Sequence, residues 1–139
     1  MRDHVARAAA ALAVALTLVL LAGCGQDGRG TQDGEEPQEF PDVVTVELAE
    51  TDPGTYDVSV TVSSPYDSPE RYADGWRVLA PDGTVLGEHE LLHDHAGEQP
   101  FTRTQTGLEI PADVAEVTVE GRDLANGYGG ATTTVDVPR

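Results

Sequence analysis

Tyr56-Asp57-Val58-Ser59-Val60-Thr61-Val62 places an apolar side chain at every even position and a polar one at every odd position. Successive residues of an extended chain point to opposite faces, so this stretch is a strand with one buried and one solvated side. Upstream, Val44, Val46 and Leu48 alternate with Thr45 and Glu47 in the same way. Thr51-Asp52-Pro53-Gly54 between the two runs supplies turn chemistry, and the pair is expected to form a hairpin.

Working toward the C-terminus, Ser64 to Glu70 contains Pro65 and Pro69 and reads as a loop. Tyr72, Trp76 and Val78 then fall on alternating positions of a third strand, and Ala80-Pro81-Asp82-Gly83 turns the chain into a fourth over residues 84–90. A polar connection over residues 91–100 leads to strand-like residues at 101–110. A Pro111-Ala112-Asp113 turn precedes another alternating segment marked by Val117 and Val119. A last segment over residues 131–137 follows the glycine-rich run Asn126-Gly127-Tyr128-Gly129-Gly130. About seven short strands with no amphipathic helical stretch indicate an all-β, antiparallel sandwich of immunoglobulin-like or fibronectin-like type, with Trp76 in its core. If consecutive strands alternate in direction, the connections 64–71, 91–100 and 123–130 share one end. Loops on a rigid sandwich are where binding residues tend to sit.

The N-terminal part differs in composition. Arg2 and Arg7 precede a run over residues 8–21 that is almost wholly Ala, Leu and Val, too short for a full membrane span of about 20 residues and laid out like a secretory signal. The junction Leu21-Ala22-Gly23-Cys24 resembles the lipobox of bacterial lipoproteins. That resemblance implies diacylglycerol on the Cys24 thiol, cleavage just before it, and a mature protein anchored in a membrane outside the cytoplasm by at least two acyl chains, palmitate among them. Residues 1–23 are therefore expected to be a lipoprotein signal peptide, 24–41 a flexible acidic tether and 42–139 the sandwich domain. The tether is nearly devoid of apolar residues, and its random-coil reach is on the order of 20 to 25 Å.

The chain carries 25 acids against 8 basic residues, every one of them arginine, and leaving out residues 1–23 the balance is 24 to 6. Nucleic acid and anionic lipid headgroups need clustered cations, so neither is an expected partner. A single cysteine, Cys24, excludes a disulfide within the domain.

Three of the four histidines fall in His89-Glu90-Leu91-Leu92-His93-Asp94-His95, and Glu98 follows. An extended His-x-His puts two rings on one face roughly 6 to 7 Å apart, within reach of one divalent ion. His89, His93, His95 and Glu98 are thus a candidate zinc or copper site. The competing reading has these histidines hydrogen-bonded to nearby acids such as Asp94, holding a long turn together. Arg103, beside Phe101, could grip an anionic ligand or pair with an acid. Tyr128, amid glycines, is a candidate exposed contact residue. No Gly-x-Ser-x-Gly elbow and no second cysteine is present, so catalysis is not expected.

Gly75-Trp76, Pro81-Asp82-Gly83, His93-Asp94-His95, Glu98 to Arg103 and Gly127-Tyr128-Gly129-Gly130 together resemble a group of small secreted bacterial proteins with an immunoglobulin-like domain and no assigned activity. The expectation is a lipid-anchored binding or interaction module. Its partner would be another envelope protein or a small solute; metal handling through the histidine loop is the alternative.

Overall fold

A computed structural model describes residues 37–139. The signal segment, the Leu21-Ala22-Gly23-Cys24 junction and most of the expected tether lie outside the described residues. Within them the chain forms eight strands and no helix: β1 (Asp42–Asp52), β2 (Thr55–Ser63), β3 (Ala73–Leu79), β4 (Val85–Glu90), β5 (Phe101–Glu109), β6 (Glu116–Asp123), β7 (Gly127–Tyr128) and β8 (Thr133–Asp136). All pairings are antiparallel. One sheet runs β1-β2-β5, the other β4-β3-β6-β7, with β8 also on β6.

The alternation at 56–62 holds throughout: Tyr56, Val58, Val60 and Val62 are all fully buried. Opposite them β3 and β6 contribute Trp76, Val78, Val117 and Val119, and the two inner faces close on one another. Burying such side chains contributes roughly 1.5 to 3 kcal/mol each, and no disulfide is needed to hold the layers.

β1 departs from simple alternation. A bulge between Val43 and Thr45 inserts one residue into the ladder with β2, so Val43 and Val46 face the core and Val44 is 53% exposed. A similar irregularity between Ala73 and Gly75 sets Ala73 inward and leaves Tyr72 outside the strand. The eighth strand is β7, which with β8 makes an interrupted edge on β6. At the interruption Ala131 accepts from Val43 N–H at 2.8 Å, and Thr133 Oγ1 donates to Val43 O at 2.7 Å. The start of β1 thereby ties the two sheets together.

Residues 38–41, assigned to the tether from composition, pack on the domain. Gln38 Nε2 donates to Ser63 O at 2.9 Å, and Pro41 is buried. Phe40 fills the space a side chain at Gly129 would need, and Pro41 O sits where a methyl at Gly130 would go. Strand alternation puts this segment and the connections 64–72, 91–100 and 124–126 at one end. The turns at 53–54, 80–84 and 110–115 lie at the other.

Candidate functional site

The loop-rich end is organised by a carboxylate. Asp67 is buried, and a buried charge is tolerated only when its oxygens are hydrogen-bonded. One oxygen accepts from Ser64 Oγ and from Ala73 N–H (3.0 Å), the other from His95 N–H (3.1 Å) and Gln99 Nε2 (3.2 Å). Gln99 Oε1 in turn accepts from Ser64 N–H at 2.6 Å. One side chain therefore fastens the loop 64–72 to the loop 91–100 and to the start of β3. On the other flank, the buried Asp123 carboxylate accepts from Ala125 N–H (3.1 Å), Asn126 N–H (2.8 Å) and Arg71 Nε (3.2 Å).

Within loop 91–100, His95 is buried with its ring between Phe101 (centroids 4.0 Å apart) and His93 (4.6 Å). Arg103 Nη2 lies 3.2 Å from His95 Nδ1 and 2.7 Å from Glu98 Oε2. Arginine can only donate, so Nδ1 is the acceptor and the proton of the neutral ring is assigned to Nε2. That nitrogen is buried without a hydrogen-bond partner. Burial, then the Arg103 and His93 charges, hold the His95 pKa below the usual imidazole value. The hydrogen bond from Arg103 holds the Glu98 carboxyl below the usual carboxylate range.

Of the candidate metal ligands, His93, His95 and Glu98 come together and His89 does not. The register pairs His89 on β4 with Trp76 on β3, so its ring stacks on the indole at 4.4 Å. Among the described residues no group of three or more His, Cys, Asp or Glu side chains is placed to hold a metal ion. Instead, a guanidinium sits at the His95 nitrogen a cation would seek.

Arg103 is engaged by Glu98, His95 and its neighbour's carbonyl, Thr102 O at 2.8 Å. Tyr128, expected at an exposed tip, is half-buried because β7 pairs with β6 and lays the ring along the outer face of the sheet. The Arg77 guanidinium covers that ring at 4.1 Å, and the hydroxyl donates to Glu88 Oε1 at 2.6 Å. Burial and the Glu88 carboxylate push the Tyr128 pKa up. Both candidate contact residues thus spend polar groups on partners within the chain.

Composition and motif gave no sign of two clefts at the opposite end. One, of about 360 Å³, is lined by Pro81, Leu86, Pro111 and Val114 among others. The other, of about 440 Å³, is lined by Pro53, Val85, Leu86, Ile110 and Pro111. They share Leu86 and Pro111. Their walls combine turn residues from three connections far apart in the chain with the ends of β4 and β5.

The chain is similar to a protein of Halomicrobium mukohataei named "Putative lipoprotein". The two are 38% identical over 106 residues, 76% of this chain and 52% of that protein, so the chain spans about half the length of the relative. The similarity supports a lipoprotein. No model of a known protein family matches the chain, and no solved structure matches it.

Proposed function

We propose that this chain is a lipid-anchored, extracytoplasmic, non-enzymatic interaction module, held to its membrane by acyl chains on Cys24. The observation that carries the reading is the Leu21-Ala22-Gly23-Cys24 junction behind its apolar run, in a chain similar to one named as a lipoprotein. Two acyl chains suffice for stable anchoring where one holds only marginally.

The domain suits a display role. Its three-strand sheet packed on the five-strand sheet of β4, β3, β6 and the interrupted edge resembles immunoglobulin-like and fibronectin-like sandwiches, which serve as rigid carriers of surface. The loop end, where residues 38–41 join the domain, is occupied with its own hydrogen bonds around Asp67 and Asp123. The anchor would draw on the domain from that end, and the clefts beside Pro111 would be free to meet another envelope protein or a small solute.

Fractionation of cells carrying the wild type or Cys24→Ala tests the anchor. The wild type is expected in the membrane fraction, released by detergent and not by salt. Cys24→Ala should leave that fraction or accumulate as a longer precursor. A wild type that is wholly soluble, or a variant that stays processed and membrane-bound, would overturn the reading.

A further inference from the structure

We propose that β4 (Val85–Glu90) takes up an extended segment of another polypeptide as an added strand, a segment with apolar side chains on one side and arginine or lysine on the other. This rests on the interaction-module reading and names the surface and partner chemistry.

β4 ends its sheet: it pairs with β3 and with no other strand. Beyond it, Leu91 N–H donates to Asp74 O at 2.8 Å. By the alternation of an antiparallel ladder, Glu88 and Glu90 therefore turn their main-chain groups to the open edge. There Glu88 O meets only the Gln105 side chain, Nε2 at 3.4 Å. An edge of this kind templates a further strand, and proteins blunt it with charged side chains, proline or bulges. The sequence Val-Leu-Gly-Glu-His-Glu has no lysine or proline, and its charges are both glutamate, which repels an acidic strand and admits a basic one. The one irregularity in the β3 ladder lies at the strand's start, between Val78 and Leu79, where it frees Leu86.

Side-chain chemistry follows from the same placement. Leu86 lines both clefts and Val85, 44% exposed, lines the larger, so apolar side chains of an added strand have somewhere to go. On the outer face Glu88 and Glu90 are exposed, Glu88 with one oxygen taken by the Tyr128 hydroxyl and Glu90 3.8 Å from Arg122, and Asp82, Glu109 and Asp113 line the clefts. A second copy of this chain is the wrong partner: antiparallel pairing of two β4 edges would set Glu88 and Glu90 against their own counterparts, and like charges across strands repel. The charge favours a foreign, basic segment.

The test uses the lipidated full-length protein in detergent micelles, isotope-labelled for amide NMR. The probe is a peptide about eight residues long, the length of an ordinary strand, alternating Val and Arg. Saturable shifts are expected at residues 85–90 and around Pro111, with binding at least about ten-fold weaker for a Val/Glu peptide and for one with its valines and arginines in separate blocks. No saturable shift, equal binding of the blocked peptide, or shifts centred on loop 91–100 would overturn the proposal. In cells, a photo-crosslinking residue at position 85 should trap a partner and one at position 93 should not. Adducts at 93 alone would overturn the β4 edge and leave the interaction module standing. A membrane-bound chain with adducts at neither position would overturn both.

Discussion

The indole N–H of Trp76, on β3, donates across the sandwich to Gln105 Oε1 on β5 at 3.0 Å, joining the two sheets at a point where both residues are buried. A buried indole N–H left without an acceptor costs about 1 to 3 kcal/mol. Gln105→Leu should therefore destabilise the domain by about that amount although leucine is the more apolar residue, and Gln105→Glu, which keeps an acceptor for the indole but buries a charge and turns its second oxygen on Glu88 O, should lose at least as much. Chemical denaturation gives the comparison. A leucine variant as stable as the wild type would show that the bond contributes nothing.

Asp67 makes four hydrogen bonds to three separate pieces of chain. In Asp67→Asn, an amide NH2 must face donors that a carboxylate oxygen now satisfies, and the expected loss is about 3 kcal/mol. Amide exchange at Ala73 and His95 should accelerate together. Acceleration at one without the other would mean that the two loops are not fastened by this residue.

The pH dependence has a sign fixed by His95. Its folded pKa lies below the ordinary value of about 6.5, because burial and then the Arg103 charge disfavour the imidazolium. The unfolded chain thus binds the proton first, and the His95 contribution is present above about 6.5 and declines as pH falls from there toward the lower folded value. Glu98 acts in a more acid window: its depressed pKa gives a contribution present above about 4.3 and lost as pH falls further. The stability difference between wild type and His95→Phe should change in the wild type's disfavour on going from pH 7 toward 5. A difference that stays constant would contradict the placement of the ring.

Zinc and copper are expected to bind weakly. His89 is held on Trp76, and Arg103 covers His95 Nδ1. Calorimetry should find no site tighter than about 10 µM, an affinity of roughly 7 kcal/mol. A tighter site that is lost in a His93→Ala variant would restore the metal reading.

How much of this was legible in the sequence depends on how local the cause is. The alternation at 56–62 reports directly on one buried face, and the two-sheet sandwich follows from repeating that reading. Val44 was misplaced because a bulge shifts phase by one residue without leaving a mark in the pattern. Tyr128 was misplaced because a two-residue strand has no periodicity to detect. Asp67 could not be told from the chain's other acids, since its role comes from donors 3 to 32 positions away. In the sequence Gly129 and Gly130 show only as part of a glycine-rich run. Their role, making room for Phe40 and Pro41, depends on a segment some ninety residues earlier, whose only hint was an aromatic and a proline in an otherwise polar run.

Anchoring through Cys24 is read out by intact-mass and N-terminal peptide measurement of the protein extracted from membranes. The expected result is a mature chain that begins at Cys24 and carries a diacylglyceryl group on that residue. A mature chain that begins elsewhere and carries no lipid would contradict it.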